Sequence, residues 1–261
     1  MEAPPFEQVL AALHSSHERL AGALAPLSAE QVGAQSYDDD WSLAQVASHL
    51  GSGAEIFTLF LDAGLHGEPA PGIEKFKSVW VRWNDKSAYD QATDAVKADA
   101  AFLDRLDTLS DTERQRWRLD LFGTDQRAAD FVRMRLAEHA VHTWDIVVAL
   151  DGDATVAADA VPLLIDMMDG LVARVGKPTE PSLRLAVRTE NPERSFVLEL
   201  DADGSRLKPA AVDAAELDRE LRLPAEALIR LVYGRLDPDH TPPLEADQLD
   251  LETLRRAFPG L

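Results

Sequence analysis

The feature that most constrains this chain is a helical stripe near residue 140. Positions 131, 135, 138, 142, 145 and 149 are Phe131, Arg135, Glu138, His142, Asp145 and Ala149. Steps of three and four keep side chains on one helical face. A stripe of apolar residues would be ordinary core. This one sets two acids, a base and an imidazole between apolar ends. Charges on a core-facing stripe are costly unless they are paired or bind a metal. The chain must therefore fold so that other helices bring partners to this stripe.

The preceding residues supply such helices. Pro4 and Pro5 precede a helix carrying Leu10, Leu13, His17 and Leu20 on one side. Ser28 with Gln31, and Ser42 with Gln45, have the spacing of capping boxes. The first opens a short helix that ends at Gly33 and the Asp38–Asp40 loop. The second opens a helix with Val46, His49, Leu50, Gly53, Ile56, Phe57 and Phe60 on one side, ended by Gly64 and the 69–72 loop. Ser87 is placed to cap a third long helix, with Val96, Phe102, Leu103 and Leu106 inward. Thr124 is placed to cap a fourth, running to about Leu150. Four amphipathic segments predict an antiparallel bundle.

After Asp151-Gly152-Asp153 the texture changes. An apolar helix is expected from about Val156 to Val175. Leu183, Leu185 and Val187 then alternate with Arg184, Ala186 and Arg188, a strand signature. A second strand follows at Phe196–Leu200, then a turn at Ala202–Gly204. Pro224 opens a helix through Leu231, and a short helix near Leu251–Ala257 precedes Phe258-Pro259-Gly260-Leu261. The expected class is α+β, with a four-helix bundle over 1–152 and a small α+β domain over 153–261.

Composition removes several functions. The net charge is −20 with no basic stretch, which disfavours nucleic acid and anionic membrane surfaces. No run of 18 apolar residues spans a bilayer, and Met1–Pro5 shows no secretory signal pattern. Cysteine is absent, excluding disulfides, zinc–thiolate sites and a cysteine nucleophile. A cytoplasmic protein is expected, monomeric or weakly dimeric. Any thiol chemistry needs an external small thiol.

Glu138 and His142, four apart, aim at one spot, and His49 lies on the apolar side of its helix. A carboxylate and two imidazoles suit zinc and other borderline metals, and three ligands leave a coordination position open. On spacing alone, a simple Glu–His pair and a core histidine compete with this reading. His139 ranks below Glu138 as a ligand, being about 100° around the helix from it.

These residues carry a resemblance. Trp41-Ser42, Ala47-Ser48-His49-Leu50, Arg135, Glu138, His142 and Asp145 resemble the mycothiol-dependent maleylpyruvate isomerase family. Leu228–Leu236 and the closing Phe-Pro-Gly-Leu look like that family's second domain. The resemblance implies a DinB-like metal-binding four-helix bundle followed by a sterol-carrier-like α/β domain. It implies that His49, Glu138 and His142 hold zinc, that Asp145 orients a ligand, and that mycothiol is the thiol cofactor. The implied activity is cis–trans isomerisation of maleylpyruvate or a related small electrophile. Thiol addition to the double bond, rotation and loss of the thiol give the trans isomer. A mycothiol S-transferase, in which the product keeps the thiol, is the alternative. A non-catalytic protein binding metal or an apolar ligand, and a bundle with a vestigial site, are further readings. A dicarboxylate needs cations, for which Arg82, Arg135 and Arg235 are the candidates, lining a groove between the two domains.

Overall fold

The computed structural model describes residues 4–38, 40–121, 123–210, 217, 219–246 and 249–260. Met1–Ala3, Asp39 and Leu261 of the readings above lie outside them. The chain divides into two compact units, Met1–Ala160 and Val161–Leu261.

The first unit is helical: α1 (Phe6–Leu24), α2 (Leu43–His66), α3 (Ile73–Asn84), α4 (Ala88–Asp107), α5 (Asp111–Arg116) and α6 (Ala128–Val148). Helices α1 and α6 pack together, as do α2 and α4, with α2 also against α6. The starts follow local chemistry. Ser42 Oγ accepts the Gln45 N–H while Gln45 Oε1 accepts the Ser42 N–H, closing the capping box. Ser87 accepts from the Asp90 N–H in the same way. At the other end of α2, Gly67 takes the left-handed conformation, φ 67°.

Several expectations need correction. Ser28 and Gln31 make their reciprocal bonds, but only a 3-10 turn follows at Gln31–Gly33, because an isolated bridge between Gln35 and Ser42 draws the chain out. Gly64 does not end α2. It lets the Trp117 indole against the helix, since a Cβ there would stand 2.3 Å from the ring. Helix α3 was not anticipated, although Ile73, Phe76, Val79 and Trp83 carry its period. Thr124 does not cap α6. Residues Thr124–Arg127 (β2) pair with Arg118–Leu121 (β1) in an antiparallel hairpin turned at Gly123, φ 80°. Arg127 then leads into α6 with no side-chain cap.

The expected 156–175 helix is interrupted too. Residues 153–160 stay with the bundle, where Ala154 O accepts from Trp144 Nε1 at 2.8 Å and Thr155 O from Arg19 Nη2 at 2.8 Å. The units therefore part at Ala160/Val161 and not at 152/153. Beyond that point lie α7 (Val161–Leu164), a 3-10 turn and α8 (Met168–Val175).

The second unit is built on a mixed sheet of β3 (Leu183–Glu190), β4 (Arg194–Asp201), β5 (Gly204–Pro209), β6 (Glu220–Pro224) and β7 (Glu245–Ala246). The order is β5-β4-β3-β6-β7, with β6 parallel to β3 and the other pairs antiparallel. Leu183, Leu185 and Val187 are buried, as their alternation requires. Helix α9 (Ala225–Val232), opened by Pro224, is buried all round, and α10 (Leu251–Ala257) follows. The class is α+β, helices first and sheet second. Among the described residues no helix is long and apolar enough to cross a membrane.

The bundle closes on one carboxylate. Asp99 of α4 is fully buried. Its Oδ1 accepts from Arg135 Nη2 at 2.9 Å; its Oδ2 lies 2.9 Å from His17 Nδ1 and 2.9 Å from His139 Nε2. Arg135 Nη2 also donates to Leu50 O at 2.8 Å. Ser16 Oγ lies 2.8 Å from His139 Nδ1. Helices α1, α2, α4 and α6 thus meet in one polar cluster. Burial pushes the Asp99 carboxyl up, but His139, His17 and Arg135 outweigh it and hold it well below the usual range. The hydrogen bond to Asp99 raises the His17 pKa against burial. Burial lowers that of His139, which Asp99 only partly offsets.

A raised histidine pKa stabilises the fold fully below the unfolded value of about 6.5 and ceases to do so as pH rises through the folded value. Replacing His17 by Asn should therefore cost more stability at pH 5.5 than at pH 9. Denaturant unfolding of both proteins at both pH values measures this. An equal loss at the two pH values would contradict the charged His17–Asp99 contact.

Candidate metal centre

The spacing of four on α6 puts Glu138 and His142 on one face, and α2 carries His49 to the same place. Their ligand atoms all lie within 4.8 Å of one another. His49 Nε2 is 3.6 Å and His142 Nε2 3.7 Å from the same atom, Glu138 Oε2. The two imidazoles meet edge to face, with centroids 4.5 Å apart. Donors around a tetrahedral zinc, at bond lengths near 2.0–2.2 Å, stand about 3.3 Å apart. The three side chains are therefore close to the separation an ion needs, and their donor set is a nitrogen–nitrogen–oxygen set of the right hardness.

The neighbours of the three side chains orient and charge them. His142 Nδ1 lies 2.8 Å from Oδ2 of the buried Asp145. A proton held at Nδ1 by that carboxylate leaves the Nε2 lone pair turned to the centre. Burial raises the Glu138 pKa, but His49, His142 and Arg135 together bring it down to about 2. Glu138 is thus an anion at neutral pH. The Trp41 ring flanks His49 with centroids 5.4 Å apart. The side chains of His49 and Glu138 are 36% and 34% exposed, and that of His142 14%. The group is open on one side, which a site that admits a further ligand requires.

The other candidate residues fall elsewhere. Arg135 is 1% exposed and lies behind the triad in the Asp99 cluster. Arg82 is exposed on α3, with Nη2 2.5 Å from Glu55 Oε2 and Nη1 donating to Ser78 O. Arg235 follows α9 in the second unit, where its Nη1 donates to Tyr233 O at 2.7 Å. His139 faces Ser16 and Asp99, on another side of α6 from the triad. Sequence reasoning missed Asp99. A signal was present: it lies between Val96 and Phe102 on the apolar face of α4, where an acid needs a partner. His17 gave the same signal among Leu10, Leu13 and Leu20.

Comparisons with known proteins bear on the fold and the family. The first unit's sequence matches the family described as the mycothiol maleylpyruvate isomerase N-terminal domain over residues 13–147. No curated protein matches the sequence. Among solved structures, the chain is similar to that of the mycothiol-dependent maleylpyruvate isomerase, with TM-score 0.68 and 14% identity, covering 96% of this chain and 97% of the other. A histidine-to-alanine mutant of the mycothiol-dependent maleylpyruvate isomerase matches with TM-score 0.69, at the same identity and coverage. At that identity the likeness speaks for the fold. With more than half of its length matched by the family's own sequence pattern, the chain belongs to the mycothiol maleylpyruvate isomerase family.

Proposed function

We propose that this protein is a metal-dependent enzyme that uses mycothiol as its thiol cofactor and isomerises maleylpyruvate or a related small electrophile. The observation that carries the reading is the convergence of His49, Glu138 and His142 on one open-sided point inside the matched region. Two imidazoles and one carboxylate favour zinc among the common divalent ions. When bound, such an ion would favour the thiolate form of a thiol, which is the nucleophilic form.

The chain's own residues prepare for this. Asp145 meets the His142 ring at Nδ1, so that Nε2 is the atom turned to the centre. Glu138 supplies the single negative charge of the set. Trp41 restricts the swing of the His49 ring. The chain has no cysteine, so the thiol arrives from outside. A dicarboxylate substrate also needs cations. In the first unit Arg82 is the candidate, because its side chain is exposed on α3 whereas the Arg135 guanidinium is buried against Asp99 and Leu50 O.

Elemental analysis should find about one zinc per chain in protein purified without added metal. The His49→Ala/His142→Ala variant should lose it. A metal-free wild type, or a variant that keeps its metal, would refute the centre.

Mycothiol should bind the zinc-loaded protein at least tenfold more tightly than the apo protein in calorimetry. Equal binding to both would separate the thiol from the metal. Turnover of maleylpyruvate with mycothiol returned unchanged identifies an isomerase; mycothiol consumed in proportion to product identifies an S-transferase instead.

A further inference from the structure

We infer that Asp99 and Arg135 are positioning residues for the metal centre, holding α2 against α6 at the separation that lets His49 meet Glu138 and His142. The inference rests on the metal-centre reading and adds residues that are not among the proposed ligands.

Arg135 sits three residues before Glu138, less than one turn away on α6. Its Nη2 donates at once to Asp99 Oδ1, at 2.9 Å, and to Leu50 O, at 2.8 Å. Leu50 directly follows His49. The guanidinium therefore grips the α2 backbone beside one ligand from a position beside another. Asp99 holds that guanidinium from α4, so it cannot swing away along α6. The grip is specific to this place on α2. Gly53 is the residue facing the guanidinium, and a Cβ there would stand 2.8 Å from Arg135 Nη1. Any larger residue would push the arginine or the helix back.

The contacts run in a ladder. His49 meets Glu138 and His142; Gly53 meets Arg135; Phe57 stacks near Phe131, with centroids 5.1 Å apart. Residue numbers rise along α2 as they fall along α6, so the two helices are antiparallel. The Arg135 rung is the polar one between the triad and the aromatic rung. Aromatic contacts tolerate sliding, whereas two charge-assisted hydrogen bonds from one nitrogen do not. The ion pair therefore sets the register that the triad uses. Because Arg135 is buried and doubly engaged, its charge serves this grip and is not presented to a substrate.

The test is metal affinity, measured by chelator competition on refilled apo protein. Asp99→Asn and Gly53→Ala should each weaken zinc binding at least tenfold, in the range typical for groups that orient ligands. Gly53→Ala keeps every charge and only displaces the guanidinium. It therefore decides the matter if Asp99→Asn does not fold. Arg135→Lys should recover part of the affinity lost in Arg135→Met, since it restores the charge beside Asp99 without the planar fork. Leu20→Ala, a buried truncation on α1, sets the baseline for general loosening and should leave affinity unchanged. A folded Gly53→Ala protein that binds zinc as tightly as wild type would overturn the inference and leave the centre standing. Wild-type protein that takes up no zinc would remove the centre and the inference together.

Discussion

The structure depends on burying one ion pair, Asp99 with Arg135, at the middle of the first unit. Removing a single partner from such a pair costs about 3–5 kcal/mol, because the other charge is left stranded. The bundle meets this demand by surrounding the pair with polar groups. His17 and His139 take the second Asp99 oxygen, and Leu50 O takes a share of the guanidinium. Each group comes from a helix already placed by apolar packing. The apolar faces bring the four helices together, and the ion pair selects one register among the alternatives those faces would allow.

Helix α6 shows how one segment serves two purposes. Arg135, His139 and Thr143, spaced by four, line the inner cluster; Thr143 Oγ1 lies 3.3 Å from His139 Nδ1. Glu138 and His142, on the adjacent stripe, form the open-sided group. Asp145 anchors His142 by its ring, and its backbone carbonyl accepts from the Tyr37 N–H. Between these polar stripes, Val132, Leu136, Val141, Trp144 and Ile146 are buried and supply the apolar packing of the helix. Serving both purposes, the helix carries the buried ionisable groups Arg135, His139 and Asp145.

Local punctuation made much of the fold legible. Ser42, Ser87 and Pro224 each sit where their capping or turn chemistry predicts, and the alternation of Leu183, Leu185 and Val187 marks a strand. Where cues compete, the sequence misleads. Thr124 is a good cap residue, yet pairing with Arg118–Leu121 holds its segment in a hairpin, and Thr124–Arg127 itself has no apolar alternation to announce a strand. Gly64 looks like a stop, but its missing side chain makes room for Trp117, far along the sequence. In the candidate site, spacing alone brings Glu138 and His142 together, because both lie on one helix. That His49 meets them depends on α2 crossing α6, and that Asp99 meets Arg135 depends on α4. No spacing rule within a segment encodes such contacts; only the presence of an acid on an apolar stripe hints at them.

Under the proposed function, charge explains how His49, Glu138 and His142 would suit an anionic thiolate in a chain of net charge −20. Surface charges are screened over about 8 Å at physiological salt, so the global charge reaches the centre only weakly. What matters is the local sum. Two neutral imidazoles and the ionised Glu138 would leave a divalent ion with one net positive charge among its direct ligands. The Arg135–Asp99 pair behind is outside that sum, since neither group is among the three side chains of the triad. Asp145 is further away, beyond the His142 ring, and strengthens the ring's electron donation without occupying a position on the ion. A second carboxylate in place of either histidine would bring the direct sum to zero and weaken the attraction for a thiolate. A cysteine there would fill the site with the protein's own sulfur. Under the proposed function, two histidines and one glutamate would thus leave both an open position and a favourable charge for an external thiol.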